Sequence, residues 1–294
     1  MERGTTAAVL TALRPRQWLK NIFVLAALVF AGELRNQTAV LRALGAFGVF
    51  CMLSSAAYLI NDLRDREADR AHPRKRLRPI ASGELAPILA AAVAALLAIG
   101  ALVAAFALSP GLGRVAVAYL VLNLSYSFGL KRVVILDVMM VATGFLLRAF
   151  AGALVIEVAI SRWLILCTGL LALFLGFVKR RQELAATDGT TDTRPILKEY
   201  SLPFLDQMIA VVTGATVVCY SLYAFSPEVA AKLGTEHLGL TIPFVLFGIF
   251  RYLYLVHQRG AGESPTTVVL TDVPLILDVV LWAAAVVVAL YVWR

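Results

Sequence analysis

The sequence predicts an all-α membrane protein, a bundle of about nine transmembrane helices with a cytoplasmic polar cap. Of its 294 residues, 60% are hydrophobic and only 16% are charged, and the mean hydropathy is +0.82. Soluble domains carry about 25% charged residues and roughly 45–50% apolar ones. Apolar stretches long enough to cross a bilayer recur along the whole chain. Because backbone polar groups within lipid must bond internally, such stretches are expected to be helices.

Turn-forming residues divide the apolar sequence into candidate spans, with breaks at 109–111, 226–227 and 260–262. The nine spans are 18–34, 38–60, 86–108, 114–129, 133–153, 163–178, 204–225, 238–257 and 272–293. The first follows basic residues, as a secretory signal does, but lacks a convincing cleavage site and is expected to be retained. Residues 1–294 are therefore predicted to form a single transmembrane helical domain.

The distribution of positive charge orients the bundle. When the N-terminus is placed in the cytoplasm, most of the 27 lysines and arginines fall on that side, as the positive-inside rule requires. An odd number of spans then places the C-terminus outside. The charged loops 61–85, 130–132 and 179–202 open together on the cytoplasmic side. The charge distribution therefore places the polar loops in the cytoplasm, and the expected location is a bacterial-type inner membrane with the active site facing the cytoplasm.

The placement of polar residues argues against several function classes. The net charge of +8 could suggest a nucleic-acid partner, but no basic patch interleaved with aromatic residues appears outside the short loops, so such a partner is not expected. Cys51, Cys167 and Cys219 lie in separate apolar spans, with neither disulfide nor metal spacing. The sequence has no Walker loop, no GxGxxG turn and no Ser-His-Asp arrangement.

An acidic stretch directly after the second span is the most informative part of the sequence. Asn61, Asp65 and Asp69 recur every four residues and share one face of a helix, and Asp62 lies about 100° to the side. Carboxylate and amide oxygens suit Mg²⁺, which in proteins commonly binds substrate phosphates as well. The basic run at 72–79 would neutralise the rest of a phosphorylated substrate. The alternative is a solvated helix face on which acids and bases pair four residues apart.

Other charged residues occur where a membrane protein normally avoids them. Arg148 lies eleven residues, about three turns, after Asp137, so both are expected on one face of the fifth span. The alternative for Arg148 is a structural ion pair with another acid. Lys20 lies inside the membrane edge of the first span and would need a partner.

A basic group, Lys179-Arg180, begins the loop after the sixth span, with Glu183 one turn beyond Lys179. Such a group can also serve only to anchor the span. Together, the charged residues converge on the cytoplasmic mouth of an apolar bundle. This arrangement predicts a phosphorylated polar substrate meeting a long apolar one, with a metal neutralising a diphosphate leaving group.

The pattern Asn61-x-x-x-Asp65-x-x-x-Asp69 after the second span resembles the first aspartate motif of the UbiA superfamily of intramembrane prenyltransferases. The resemblance implies a helical bundle that binds a diphosphate through Mg²⁺. Aromatic prenyltransferases of this superfamily usually carry a second Asp-x-x-x-Asp motif. Here Asp137 is followed by Val141 where the second acid would fall.

The remaining motifs are similar to those of the decaprenyl-phosphate phosphoribosyltransferase branch. The matching stretches are Arg14-Pro15-x-Gln17-Trp18-x-Lys20-Asn21, Asn61-Asp62-x-x-Asp65-x-x-x-Asp69, His72-Pro73-x-Lys75-Arg76-x-Arg78-Pro79-Ile80 and Lys179-Arg180-x-x-Glu183-Leu184. The resemblance implies transfer of a 5-phosphoribosyl group from 5-phosphoribosyl 1-diphosphate to a polyprenyl phosphate, for the synthesis of a cell-envelope pentose donor. The implied partners are these two substrates and the membrane, and the expectation includes a homo-oligomer.

We assign roles to the charged residues on this basis. Three carboxylates, Asp62, Asp65 and Asp69, would hold Mg²⁺ and through it the diphosphate. The expected catalytic residues are Asp62, Asp65, Asp69, Asp137 and Lys179. The expected substrate-binding residues are Lys20, Asn61, Lys75, Arg78, Tyr126, Lys131, Arg148, Arg180 and Glu183.

Two other functions remain open at this point. An aromatic prenyltransferase of the quinone-synthesis type would need an acceptor pocket and usually a second acidic pair. A transporter of a phosphorylated solute would need polar residues through the full membrane depth or broken inverted-repeat helices.

Overall fold

The computed structural model describes residues 4–160, 162–186, 195–259 and 265–293, and every regular element within these ranges is helical. The α-helices are α1 (Thr5–Leu13), α2 (Ala26–Phe30), α3 (Gln37–Arg64), α4 (Arg66–Ala71), α5 (Pro79–Ser82), α6 (Pro87–Leu108), α7 (Pro110–Phe128), α8 (Leu136–Val155), α9 (Arg162–Ala185), α10 (Leu202–Ala224), α11 (Pro227–Leu233), α12 (Ile242–Gln258), α13 (Pro265–Thr271) and α14 (Val273–Tyr291). Short 3₁₀ segments connect them at Pro15–Leu25, Lys75–Leu77, Leu130–Arg132, Pro195–Glu199 and His237–Thr241.

Seven helices of the described part are long and apolar enough to cross a membrane. They are α3, α6, α8, α9, α10, α14 and the continuous helix His237–Gln258, which contains α12. The prediction of an all-α, integral membrane protein is confirmed. The first predicted span is instead a 3₁₀ segment followed by α2, and the fourth is α7, which carries Arg114. Neither is among the seven, so the count of nine stays a prediction.

Side-chain caps and prolines set where several helices begin. The side chains of Asn36, Ser201 and Asp272 accept backbone N–H bonds from the first turns of α3, α10 and α14, at 3.2, 3.3 and 3.0 Å. Proline occupies the first turn of α6, α7, α10, α12 and α14. Its fixed φ suits this position, where its missing N–H would have had no helical partner. The breaks predicted at 109–111 and 226–227 are therefore helix starts as well as loop residues.

The central helix α8 packs against α3, α7, α9 and the Pro15–Leu25 segment. Gly152 allows the closest of these approaches, because a Cβ atom there would lie 1.9 Å from the backbone oxygen of Val24. Alanines with almost no exposure, among them Ala43 and Ala101, let α3 and α6 approach closely. Small side chains commonly form such interfaces in membrane bundles. The contact at Gly152 places the start of the chain beside the part of α8 that carries Arg148.

Candidate active site

A cavity with a volume of about 1420 Å³ lies among the helices, and its wall changes from polar to apolar. The charged side chains at the polar end are Arg14, Lys20, Asp65, Asp69, Lys75, Arg78, Lys131, Arg132, Arg148, Lys179, Arg180 and Glu183. The apolar arm is lined mainly from α9, α10, α12 and α14, by side chains such as Leu171, Leu175, Tyr220, Tyr223, Phe244, Tyr252 and Trp282. Lysines and arginines outnumber carboxylates at the polar end, which therefore has an excess of positive charge.

The acidic stretch forms one wall of the polar end. Helix α3 ends at Arg64 and α4 begins at Arg66, with Asp65 at the junction. Two backbone bonds, Asp65 N–H to Asn61 at 2.9 Å and Asp69 N–H to Asp65 at 2.7 Å, keep the helical spacing across it. Consequently Asn61, Asp65 and Asp69 line the cavity together. Asp69 is only 3% exposed, which excludes a solvated face for this part of the stretch.

The position of Asp62 differs from that of its neighbours. Its side chain is 3% exposed and is not part of the described cavity wall. Both carboxylate oxygens accept hydrogen bonds from Arg14 Nη2, at 2.7 and 2.6 Å, and one also accepts from Arg78 Nη1 at 3.0 Å. Asp62 thus lies behind the cavity wall with guanidinium groups on both oxygens, and its role as a metal ligand stays a prediction.

The two acids that face the cavity also have cationic partners. Lys131 Nζ lies 2.6 and 2.8 Å from the two oxygens of Asp65, and Arg78 Nη1 lies 2.6 Å from Asp69 Oδ2. Ser127 Oγ donates to Asn61 Oδ1 at 3.4 Å. Within the described ranges no three His, Cys, Asp or Glu side chains are grouped closely enough to hold a metal ion by themselves. The oxygen donors facing the cavity are thus two carboxylates and one amide, balanced by cations.

Arg148 lies deep in the polar end, at 5% exposure. It donates from Nε to Asn21 Oδ1 at 2.8 Å, from Nη1 to the Gly144 carbonyl at 2.7 Å and from Nη2 to Tyr119 Oη at 2.7 Å. Lys20 lies near enough for its charge to interact with that of Arg148. No described carboxylate forms an ion pair with either cation, which excludes the alternative of a structural ion pair for Arg148.

Arg180, unlike Arg148, is surrounded by acidic partners. Its Nε donates to Asp137 Oδ2 at 2.5 Å, its Nη1 to Glu183 Oε2 at 2.6 Å and its Nη2 to Tyr126 Oη at 3.3 Å. Asp137 is fully buried and accepts a further bond from Tyr200 Oη at 2.8 Å. It therefore lies behind Arg180 and not on the described cavity wall, although its helix also presents Arg148 to the cavity. Asp137 and Arg148 were expected on one face of the same helix, but in the structure they contact different residues.

The remaining predicted residues also reach the polar end. Lys75 and Lys179 line the cavity, and Lys179 Nζ lies 3.7 Å from Glu183 Oε1. His72 lines it as well, and its Nδ1 accepts the backbone N–H groups of Arg74 and Lys75 at 3.1 and 3.3 Å. Burial, with the nearby charge of Lys75, lowers the pKa of His72, so this ring is neutral at neutral pH.

Burial also shifts the pKa of two acidic groups near the site, Asp69 and Tyr200. It raises the pKa of the Asp69 carboxyl above its ordinary value, against the opposing charge of Arg78. It raises the pKa of Tyr200 to about 12, so the hydroxyl remains a hydrogen-bond donor to Asp137 throughout the neutral range. Tyr200 Oη in turn accepts the backbone N–H of Ile135 at 2.7 Å. Ile135 has φ of 67°, a conformation that is an outlier for a β-branched residue.

Comparison with known proteins identifies the family. The family model of UbiA prenyltransferases matches residues 21–270. The chain belongs to the UbiA prenyltransferase family. Similar UbiA-type relatives include the decaprenyl-phosphate phosphoribosyltransferase of Mycolicibacterium smegmatis, which is 37% identical over 98% of this chain and 94% of that protein. The protein of the same name from Mycobacterium tuberculosis is 38% identical over 95% of this chain and 93% of its own length. That of Corynebacterium glutamicum is 35% identical, over 97% and 87%.

Solved structures share the UbiA fold at low sequence identity. A UbiA homolog from Archaeoglobus fulgidus bound to GPP and Mg²⁺ superposes with a TM-score of 0.71 and 18% identity, covering 96% of this chain and 99% of that one. An apo UbiA homolog from Aeropyrum pernix superposes with a TM-score of 0.64 and 14% identity, covering 97% and 98%. At these identities the superpositions carry the fold alone.

Several residues of this UbiA-type site were missed by the sequence reasoning. Arg14 and Asn21 belong to a family motif, and nothing in their spacing reveals that Arg14 contacts Asp62 and that Asn21 contacts Arg148. Tyr119 and Tyr200 have no polar pattern around them and resemble ordinary buried aromatic residues. What the described site can do chemically follows from its charges: it can bind polyanions at one end, next to an apolar arm that can hold a long hydrocarbon.

Proposed function

We propose that this chain transfers a 5-phosphoribosyl group from 5-phosphoribosyl 1-diphosphate to a polyprenyl phosphate, decaprenyl phosphate being the expected acceptor, with release of diphosphate. The pentose product would serve cell-envelope synthesis. The observation that carries the proposal is the pair of cations without an acidic partner in the described residues, the buried Arg148 and the half-buried Lys20, where the excess of positive charge meets the apolar arm. The names of the relatives at 35–38% identity support the choice of donor and acceptor.

The acidic stretch is proposed to bind the diphosphate of the donor with Mg²⁺. The residues present fit a hard divalent cation, since Asp65, Asp69 and Asn61 offer oxygen atoms on one wall of the cavity. Lys131 and Arg78 neutralise these carboxylates in the structure, and Lys131 would turn to the diphosphate on binding. The metal, when bound, supplies positive charge that stabilises the departing diphosphate. Asp62 would contribute to this site indirectly, because it lies behind the cavity wall.

The deep cations are proposed to bind the acceptor. Arg148 and Lys20 would hold the phosphate of the lipid, and the apolar arm would hold its isoprenoid chain. An anion would compensate the buried charge of Arg148 and the half-buried charge of Lys20, because an isolated buried charge is costly. Asn21 and Tyr119 fix the guanidinium of Arg148, so its remaining N–H groups are presented in a fixed direction.

The reaction then needs little proton transfer. A lipid phosphate is already largely ionised at neutral pH, because its second pKa is about 6. One of its oxygens attacks the anomeric carbon of the ribose, a new C–O bond forms, and the C–O bond to the diphosphate breaks with its electron pair. Holding both partners in one cavity in a suitable orientation supplies much of the rate enhancement. Lys75 and Lys131 would stabilise the charge on the leaving group.

The cluster around Arg180 is proposed to shape the other side of the donor site. Asp137 and Lys179 keep their expected catalytic roles, and Tyr126, Arg180 and Glu183 their expected substrate contacts. In the structure Arg180 links Asp137, Glu183 and Tyr126, so a change in any one of them alters the others.

We also propose the finer membrane arrangement. Residues 1–294 would form one domain of nine spans with the N-terminus in the cytoplasm and the C-terminus outside. The polar end of the cavity would open to the cytoplasm from the inner membrane, and a homo-oligomer stays a prediction. Accessibility of single cysteines placed at Ala86 and Ser109 to a membrane-impermeant reagent in cells tests this topology, since only the second should be labelled from outside.

The experiment that tests the function uses purified protein, Mg²⁺ and two substrate pairs. Labelled phosphoribosyl diphosphate with decaprenyl phosphate should give label in the lipid phase. Prenyl diphosphate with 4-hydroxybenzoate should give no product. Product from the second pair alone would overturn the donor and acceptor assignment, and product from neither would favour the transporter.

A further inference from the structure

Arg14 and Arg78 come together at the polar end with the carboxylate of Asp62 between them. Arg14 lies in the turn between α1 and the Pro15–Leu25 segment, and Arg78 precedes α5. Arg14 Nη2 contacts both oxygens of Asp62, and Arg78 Nη1 bridges Asp62 and Asp69. Both arginines line the cavity, whereas Asp62 is behind them. One buried acid thus fixes two guanidinium groups that are distant in the sequence.

Most of the hydrogen-bonding capacity of the two arginines is left over for a ligand. A guanidinium has five N–H donors, and the bonds to the acids use only Nη2 of Arg14 and Nη1 of Arg78. No other described residue accepts a hydrogen bond from either guanidinium. The guanidinium of Arg14 also lies 5.0 Å from the centre of the Tyr58 ring, which holds its plane.

The backbone at Arg14 adds an independent indication. Arg14 has φ of 55° and ψ of 60°, in the left-handed region that non-glycine residues rarely adopt. Such conformations persist where the surrounding contacts hold them, and they are concentrated at functional sites. Here the contacts are those to Asp62 and Tyr58. The turn therefore aims an arginine into the cavity at a conformational cost.

We propose that Arg14 and Arg78 bind the 5-phosphate of the phosphoribosyl donor and that Asp62 is a positioning residue for both. This inference rests on the proposed function. Arg78 also contacts Asp69, so the pair lies directly beside the residues assigned to the diphosphate. The lipid phosphate is accounted for by Arg148 and Lys20, which leaves the 5-phosphate as the donor group without a partner. Two planar guanidiniums suit a phosphate dianion through paired hydrogen bonds.

Equilibrium titration of the purified full chain with two partial ligands tests the subsite. The probes are ribose 5-phosphate alone and inorganic diphosphate with Mg²⁺. The variant Arg14→Gln should weaken ribose 5-phosphate binding by at least about 10-fold, the loss expected for a charged hydrogen bond. It should change diphosphate binding by less than about threefold. The control Arg16→Gln, two residues away on an exposed side chain outside the cavity wall, should change neither.

The positioning role of Asp62 is tested by a double-mutant cycle. Asp62→Asn should also weaken ribose 5-phosphate binding, and Asp62→Glu should restore part of it. If Asp62 acts through Arg14, the loss in the double variant is smaller than the product of the two single losses. A loss equal to that product would overturn the positioning role. Mn²⁺ binding measured by electron paramagnetic resonance should be nearly unchanged in Asp62→Asn, and a loss as large as that in Asp65→Asn would make Asp62 a ligand.

The outcomes separate this inference from the function on which it rests. Equal weakening of both probes by Arg14→Gln, or no weakening of either, overturns the subsite even if phosphoribosyl transfer is observed. Absence of ribose 5-phosphate binding by an active wild-type enzyme overturns it as well. Arg14-dependent binding in a protein without phosphoribosyl transfer would keep a sugar-phosphate subsite and overturn the proposed reaction.

Discussion

Two arginines on neighbouring membrane helices, Arg148 on α8 and Arg180 on α9, are both almost completely buried, but their surroundings differ. Arg180 contacts two carboxylates, Asp137 and Glu183. Arg148 contacts only neutral groups, the amide of Asn21, the Gly144 carbonyl and the hydroxyl of a tyrosine. Burial of a charge is costly unless the charge is compensated. Arg180 is therefore compensated within the protein, whereas Arg148 is left to be compensated by a ligand.

The largest effect is expected from removing the compensated arginine. Arg180→Met leaves Asp137 and Glu183 without their cation, and breaking a buried ion pair in this way costs about 3–5 kcal/mol. Thermal unfolding in detergent should show a marked loss of stability. Adding Asp137→Asn and Glu183→Gln should restore a large part of it, because no buried charge then stays unpaired. If the triple variant is no more stable than Arg180→Met, the claim that Arg180 is stabilised by its two carboxylates is wrong.

Removing the uncompensated arginine should affect binding and spare stability. Arg148→Met takes away a buried charge that has no acidic partner, which offsets the loss of its three hydrogen bonds, so the unfolding temperature should fall much less than in Arg180→Met. The KM for decaprenyl phosphate should rise by roughly 10- to 100-fold, and that for phosphoribosyl diphosphate should change by less than about threefold. Arg148→Lys keeps the charge, so its KM for decaprenyl phosphate should lie between those of Arg148→Met and the wild type. A rise in the donor KM alone would assign Arg148 to the other substrate.

Tyr200 tests the surroundings of Arg180, because its hydroxyl donates a hydrogen bond to Asp137. Tyr200→Phe removes the hydroxyl that donates to Asp137 and accepts from Ile135, with an expected loss of about 1–2 kcal/mol in unfolding free energy. Since burial raises the pKa of Tyr200 to about 12, the wild-type hydroxyl is neutral across roughly pH 6–9. The difference in stability between variant and wild type should consequently be the same throughout this range. A difference that changes with pH there would show that the hydroxyl ionises.

The smallest effect is expected from replacing a third arginine, Arg181, which lies on the same helix as Arg180 but nearer to solvent. Arg181 pairs with Asp206, with Nε and Oδ1 2.5 Å apart, and Asp206 is 41% exposed. Solvent-exposed ion pairs contribute about 0–1 kcal/mol. Arg181→Gln should hence leave stability and both KM values close to wild type, and it serves as the matched control for Arg180→Met. A loss comparable to that of Arg180→Met would mean that burial does not explain the difference.

The sequence was sufficient for features that depend on local periodicity. The four-residue spacing of Asn61, Asp65 and Asp69 placed them on one wall even though the helix is interrupted at Asp65. Apolar length and composition predicted the seven helices that can cross a membrane. These features follow from helix geometry and hydropathy within one segment, and no long-range information is needed for them.

Contacts between distant segments could not be predicted in this way. Asp62 was grouped with the metal ligands because it belongs to the same helix, and its partner Arg14 lies 48 positions earlier in the chain. Asp137 and Arg148 share a helix, but one is paired with α9 and the other with the start of the chain. Which cation meets which acid is decided by helix packing, of which the approach at Gly152 is one example. Such approaches leave little trace in a single sequence.

The 3₁₀ segment Pro15–Leu25 covers a greater length per residue than an α-helix would. A 3₁₀ helix rises about 2.0 Å per residue, and an α-helix about 1.5 Å. The residues from Pro15 to Phe30, in these two conformations, would reach about 30 Å, comparable to the hydrocarbon thickness of a bilayer. Stretching the backbone in this way lets a short sequence traverse a distance that normally needs 20 residues. It also turns successive side chains by 120° instead of 100°, so Lys20 and Phe23, three residues apart, are eclipsed and both line the cavity.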